Sequence, residues 1–227
     1  MGAPLNWKLV GLVVLLAGAS VAIATLGAGK EATDKHRQGR QFTLFQTLSR
    51  FSDPVIVLGD SIVEVSTLPR SICGRAIVNA GLNGASTASD LGGWLGAALA
   101  GRRTAAIVVA LGVNDAMASP PPDKAEFAAR YGALLGQLSK MTPRLAVLEI
   151  APVEKQGNMT AGLRDEVVQK VGIYNDVLRD IAARYGATFV ALPAMPTPHT
   201  VDGLHLNADG YLIWDQAVMQ AAGGVCG

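Results

Sequence analysis

Three features of the sequence predict an α/β fold built on a parallel sheet covered on both faces. Five short apolar runs, Val55–Leu58, Ala76–Asn79, Ala105–Leu111, Leu145–Ile150 and Thr188–Leu192, are bounded by Gly, Pro or charged residues. Runs this short and this apolar read as strands buried on both faces. Segments of helical periodicity lie between them, over Thr87–Ala100, Asp123–Met141 and Arg164–Tyr185. Alternation of this kind implies right-handed crossovers, which gather the strand C-termini on one edge of the sheet, where such folds bind ligands. The 227 residues suit one domain plus an appendage.

The appendage comes first. Leu9–Ala28 (LVGLVVLLAGASVAIATLGA) contains no charged residue. At about 1.5 Å rise per residue, a helix of that length matches a hydrocarbon core of about 30 Å. Trp7 and Lys8 precede it, where an interfacial aromatic and a positive charge are expected. Two expectations stand side by side. One is an uncleaved single-pass anchor. The other is a cleaved signal peptide, with Leu9–Ala19 as its apolar core and Ala22-Ile23-Ala24 as a small-x-small cleavage site. Lys8 and the α-amine are outnumbered by Lys30, Lys35, Arg37 and Arg40, so a literal positive-inside count leaves the main domain in the cytoplasm. A short N-terminal tail before an apolar run is nevertheless the usual export pattern, and the expected location is extracytoplasmic. Gly18 and Ala22 form a small-xxx-small pair of the kind that packs anchors together, but in a segment this rich in Ala and Gly chance explains it better.

Gly29–Ser52 is a polar connection that turns amphipathic. Phe45, Leu48 and Phe51 share one face at helical spacing, with Leu44 nearby. Such a helix packs on the edge of the domain or lies on a membrane surface. The organisation is therefore a membrane or export segment over residues 1–28, a juxtamembrane connection over 29–52 and the main domain over 53–227. In the main domain, Phe127, Tyr131, Leu134, Leu135 and Leu138 mark the apolar face of the second helical segment. Pro120-Pro121-Pro122-Asp123 opens that segment with rigid turn residues and a cap. Val167, Val171, Tyr174, Leu178 and Ile181 mark the face of the third, and a last helix runs from about Ala208 to Ala221.

Composition excludes several classes. The formal net charge is +1 and the pI about 7.8, with no basic stripe carrying interleaved aromatics, so nucleic acid is not an expected partner. The 26 glycines follow no period, which removes collagen-like and low-complexity readings. Cys73 and Cys226 have no CxxC spacing and no clustered histidines, so no structural zinc site is expected. They are either two unrelated thiols or a disulfide, which requires an oxidising compartment and Cα atoms within about 7 Å.

The first apolar run ends in VIVLGDSIVE, where Ser61 follows Gly59 by two residues. Gly permits a tight strand exit, and Ser then opens a helix whose first N–H groups point outward. This is not the G-x-S-x-G nucleophile elbow, because Val63 stands where the second Gly belongs. By itself Gly-Asp-Ser reads equally as a strand–turn–helix cap. A base for Ser61 comes from VDGLHLNADGY near the other end of the chain. There Asp202 and His205 are three apart, so the carboxylate can meet one imidazole nitrogen and leave the other for Ser61. Of the three histidines, His36 lies in the juxtamembrane connection and His199 in a Pro-rich loop, and neither has an acid at this spacing. Oxyanion donors are expected after other strands: Gly84 in VNAGLNGAST and Asn114 in VVALGVNDA, with the Ser61 N–H as a third. A glycine lets a backbone N–H approach closely, and an amide donates without carrying charge. Glu64, one turn past Ser61, reads as a first-turn carboxylate favoured by the helix dipole.

Together these four blocks, in this order over about Pro54 to Val218, resemble the SGNH (GDSL-like) hydrolase family. The resemblance implies a flavodoxin-like α/β/α sandwich of about five parallel strands. It implies ester or thioester hydrolysis without a cofactor or metal, with Ser61, Asp202 and His205 catalytic and Ser61, Gly84 and Asn114 forming the oxyanion hole. Val113 and Val65 depart from the family pattern and bear on the pocket rim. Small-molecule, lipid or saccharide esters are the expected substrates, and the catalytic domain is expected to be monomeric. An O-acyltransferase using the same acyl-enzyme, or a binding module on the same scaffold, remains the alternative.

Overall fold

A computed structural model of the chain describes residues 31–155 and 161–226. The anchor segment Leu9–Ala28 and the small-x-small site within it lie outside these residues. Among the described residues, no helix is long and apolar enough to cross a membrane. The chain divides into two compact units, Met1–Arg40 and Gln41–Gly227. In the first, residues 31–40 are helical and almost wholly exposed, with Glu31 and Lys35 paired one turn apart at 2.6 Å.

In the second unit, residues 41–48 are helical (α1). Within the second unit its buried stripe is Leu44 and Leu48, whereas Phe42, Phe45 and Phe51 are exposed. The expected shared face of Phe45, Leu48 and Phe51 is therefore corrected. The helix gives way to a turn after residue 48, so Phe51 falls out of helical phase. Phe45 stays at the rim, with the Arg102 guanidinium 5.5 Å from its ring centroid.

The rest of the unit runs β1 (Val55–Gly59), α2 (Ser61–Glu64), β2 (Ser71–Ile72), β3 (Arg75–Gly81), α3 (Leu91–Leu99), β4 (Ala106–Ala110), α4 (Val113–Ala116), α5 (Lys124–Leu138), β5 (Leu145–Leu148), α6 (Ala161–Arg184), β6 (Thr188–Val190) and α7 (Ala208–Ala222). The sheet order is β2-β3-β1-β4-β5-β6, antiparallel only between β2 and β3. Without β2 the order is the 2-1-3-4-5 of a flavodoxin-like sheet. All five expected strands are present. The sixth, β2, is a two-residue edge joined to β3 through Cys73 and Gly74, both at positive φ (47° and 78°), as a two-residue hairpin turn of this hand requires.

Every residue of β1 and β5 is buried, which needs cover on both faces of the sheet. Helices α3, α5 and α6 pack in succession, and α7 packs against β4, β5 and β6. The apolar faces of α5 and α6 are the ones their periodicity predicts, from Phe127 to Leu138 and from Val167 to Ile181. They meet through Phe127 and Tyr174, whose rings stack at 3.9 Å, and the Tyr174 hydroxyl donates to Pro122 O at 2.6 Å. The helix expected from Thr87 begins only at Leu91. Residues before it form a turn, and the Asp90 carboxylate caps the helix by accepting from Gly93 N at 2.9 Å.

Cys73 and Cys226 form a disulfide, with Cα atoms 5.5 Å apart and a sequence separation of 153. It ties the β2–β3 turn to the C-terminus just beyond α7. Closing so long a loop restricts the unfolded chain and is worth about 2–4 kcal/mol. Reduction should therefore lower Tm by roughly 4–16 °C in a domain of this size. Differential scanning calorimetry with and without reductant checks this, and an unchanged Tm with two free thiols titrated would contradict it.

Candidate active site

Ser61 sits where three strand ends lie in register. Gly59 pairs with Gly81 on one side and with Ala110 on the other. A Cβ on Gly59 would stand 2.1 Å from Ala110 O, and one on Gly81 would stand 2.1 Å from Glu64 N. Both positions must lack a side chain so that α2 can lie against the sheet edge. Four residues do not make a stable helix unaided, and α2 is held from three directions. Asp60 caps it, its Oδ1 accepting from Ile62 N at 2.9 Å. Asn79 Nδ2 donates to Val63 O at 2.6 Å while Asn79 Oδ1 accepts from Gly81 N at 2.9 Å. The Tyr211 hydroxyl of α7 donates to Ile62 O at 2.7 Å. Ser61 is thereby fixed and buried, at 7% exposure.

The fold brings His205 to it from 144 residues away: Ser61 Oγ lies 3.0 Å from His205 Nε2. The other ring nitrogen, Nδ1, lies 2.7 Å from Asp202 Oδ2. Asp202 Oδ1 accepts from the backbone N–H of Leu204 (2.9 Å) and of His205 (2.7 Å). One carboxylate oxygen thus folds the turn and the other meets the ring. Partial burial alone would raise the Asp202 carboxyl, but the His205 ring and the two backbone N–H groups together hold it below the usual carboxylate range.

Gly84 and Asn114 reach the same edge from β3 and β4. Gly84 has φ 71°, and a Cβ there would meet nothing, so the backbone conformation rather than space favours glycine. Asn114 Nδ2 donates to Ala85 O at 2.8 Å, which places the amide beside the Gly84 turn and leaves its second N–H for another acceptor. Glu64 does more than complement the helix dipole: its Oε2 accepts from Asn83 N at 2.5 Å and so holds the Gly84 turn against α2. Every candidate site residue named from the sequence is accordingly on this one edge.

A sequence model of the GDSL-like Lipase/Acylhydrolase family matches residues 57–213, more than half of the chain and every site residue just described. The chain belongs to the GDSL-like lipase/acylhydrolase family. No curated protein matches it. Solved structures share the family's fold. A Streptococcus pneumonia protein, provisionally described as a platelet activating factor, is 23% identical and superposes with a TM-score of 0.71 over 92% of this chain and 99% of its own. A carbohydrate acetylesterase from Sinorhizobium meliloti is 19% identical, with a TM-score of 0.61 over 76% of this chain and 99% of its own. An acetyl-xylooligosaccharide esterase from Geobacillus is 17% identical, with a TM-score of 0.58 over 76% and 95%. At these identities the likeness is one of fold.

In this family member four polar residues near the site escape a reading of spacing alone. Asp115 is buried and accepts from Thr87 N at 3.0 Å and from the Thr87 hydroxyl, clasping the β4 loop to the β3 loop. Glu154 and His199 are buried side by side. Asp60, beside the nucleophile position, is buried as well, and burial pushes its carboxyl up to about 7 despite the Ile62 N–H and the nearby His205, which act to lower it. Burial raises the Asp115 carboxyl too.

An acid raised in the native state keeps a proton that the unfolded chain releases at about pH 4. Between about pH 4 and the folded value of about 7, Asp60 therefore lowers stability as pH rises. Asp60→Asn keeps an oxygen for Ile62 N and removes the titration. Its stability relative to the parent chain should increase steadily from pH 5 to pH 7, with Asp115 common to both proteins. Urea unfolding at several pH values reads this, and a difference that stays constant with pH would contradict it.

Proposed function

We propose that this chain is a serine esterase that cleaves carboxylic esters, or thioesters, through an acyl-enzyme on Ser61. The observation that carries the reading is the hydrogen-bonded series Ser61 Oγ–His205 Nε2 and His205 Nδ1–Asp202 Oδ2, at 3.0 and 2.7 Å. In the reaction Ser61 Oγ attacks the acyl carbonyl carbon while His205 Nε2 takes its proton. Asp202 holds the ring in the tautomer that accepts at Nε2 and stabilises the imidazolium. The carbonyl oxygen becomes an oxyanion, met by the N–H groups of Ser61 and Gly84 and by the second N–H of Asn114. Collapse breaks the bond to the leaving oxygen or sulfur, which takes the proton from His205. Water then gives its proton to His205 and attacks the acyl-enzyme. The second collapse frees the carboxylic acid and returns the proton to Ser61.

Small acyl groups on a carbohydrate or lipid alcohol are the favoured substrates. Small residues crowd Gly84–Ser89 and Met117–Ser119, which suits a small acyl group in a shallow site. Acetyl esters of carbohydrates are also what the Sinorhizobium and Geobacillus proteins of the same fold are named for. A disulfide suits an oxidising compartment. With the uncharged Leu9–Ala28 segment it supports a catalytic domain held outside the cytoplasm at a membrane.

Turnover of p-nitrophenyl acetate, butyrate and octanoate tests the reading. Acetate should be the best of the three, and Ser61→Ala should abolish turnover of all of them. Retained turnover in Ser61→Ala would overturn the mechanism. Asn114→Ala should lower kcat on the order of 10²–10³-fold, the worth of one oxyanion donor. A kcat within a factor of two would remove Asn114 from that role.

A further inference from the structure

We propose that Glu154 and His199 are positioning residues of this reaction: a buried carboxylate–imidazole pair that holds the loop carrying Asp202 and His205 in register with Ser61. The inference rests on the esterase reading above and adds to it a part of the molecule that touches neither Ser61 nor substrate.

The need for such a pair follows from the loop itself. Residues 191–207, between β6 and α7, contain no regular element apart from an isolated bridge between Thr200 and Leu206. Their functional turn is not buried: the Asp202 and His205 side chains are 44% and 35% exposed. A half-exposed turn belongs to the low-stability end of a fold unless something pins it. The hydrogen bonds that Asp202 makes to Leu204 and His205 shape the turn but do not by themselves set its distance from Ser61.

The pin lies six residues beyond the end of β5. Glu154 is 6% exposed, and each of its carboxylate oxygens serves the loop. Oε1 accepts from His199 N at 3.0 Å and lies 3.0 Å from His199 Nδ1. Oε2 accepts from Thr200 N at 2.9 Å and from the Thr200 hydroxyl. Glu154 N in turn donates to Gly203 O at 2.9 Å. His199, 5% exposed, closes the arrangement: Nδ1 is also 2.8 Å from Pro196 O, and Nε2 is 3.0 Å from Pro152 O. Burial alone would raise the Glu154 carboxyl, but the Thr200 hydroxyl, the two backbone N–H groups and the imidazole bring it below the usual range. The side chain therefore stays an acceptor for every donor around it.

Both residues that Glu154 grips are bonded onward to the catalytic turn. Thr200 Oγ1 accepts from Gly203 N at 3.1 Å, and Val201 N donates to His205 O at 2.8 Å. His199 O accepts from Asn207 N at 2.9 Å, one residue before α7 and two after His205. The turn is thus held at both ends from one buried carboxylate, and a shift of that carboxylate's partners moves His205 Nε2 relative to Ser61 Oγ.

The test uses the full-length chain. Glu154→Gln replaces one acceptor oxygen by an NH₂ that faces N–H donors. It should lower kcat about 10–100-fold, the cost of a small misplacement, with KM within about threefold. The low-field proton resonance of the His205–Asp202 hydrogen bond should broaden or vanish while the far-UV spectrum stays that of the parent. Thr200→Val keeps the branched shape and removes both the hydroxyl donor to Glu154 and the acceptor of Gly203 N. It should lower kcat about 5–100-fold, the worth of two hydrogen bonds, and broaden the same resonance. A folded Glu154→Gln that loses only Tm, with kcat within twofold and the resonance intact, overturns the proposal. If Glu154→Gln does not fold, Thr200→Val with unchanged kcat and resonance overturns it. Ser61→Ala in the same assay reports on the esterase reading separately: turnover retained there sinks that reading, and the resonance still judges the pair.

Discussion

A Cβ on Gly81 would stand 2.1 Å from the Glu64 amide nitrogen, and one on Gly59 would stand as close to the Ala110 carbonyl oxygen. That contact between a one-turn helix and the ends of three parallel strands is what the rest of the site is built around. It lets α2 begin two residues past the central strand, with Ser61 as its first residue. Asn79 and Tyr211 then fix the helix through its carbonyls, from β3 on one side and α7 on the other. Because α7 also follows the loop that carries His205, the Tyr211 bond couples the nucleophile's helix to the element next to the base.

Three buried carboxylates stitch the same edge of the sheet, and the balance between burial and the donors around each sets the direction of its titration. Asp60 caps α2 through the Ile62 N–H, and burial wins. Asp115 binds the Thr87 amide and hydroxyl, which link the β3 and β4 loops, and burial still wins. Glu154 draws on two backbone N–H groups, a hydroxyl and an imidazole, and there the donors outweigh desolvation. Each carboxylate orders a loop that carries a proposed catalytic or oxyanion-stabilising group. The half-exposed Asp202–His205 turn is tied to Glu154, a buried carboxylate from the loop after β5, through Thr200 and Gly203.

Local pattern made much of this legible. The central strand is an unbroken run of buried residues, Val55 to Gly59, and needs no partner to be recognised. Asp202 and His205 are three residues apart, so their pairing is a property of one turn. Gly84 and Asn114 follow strand ends that periodicity locates. What spacing could not supply is what tertiary contact decides. β2 is two residues long and exists because Cys73 and Gly74 turn the chain back onto β3. His199 looked like a loop histidine because its acid, Glu154, is 45 residues away and approaches only when the β5 and β6 loops meet. Phe45 and Leu48 are compatible with one face by spacing, yet only Leu44 and Leu48 enter the core, since burial depends on what lies opposite.

The central claim is that Ser61 becomes acylated. An organophosphonate carrying a good leaving group reacts only with a serine whose proton a base removes, and it leaves a stable adduct on the oxygen attacked. The measurement is intact-mass spectrometry of the labelled chain followed by peptide mapping. The account predicts one adduct per chain, on the peptide containing Ser61, with loss of esterase turnover in step with labelling. An adduct on another residue, or full turnover after Ser61 is labelled, would contradict it.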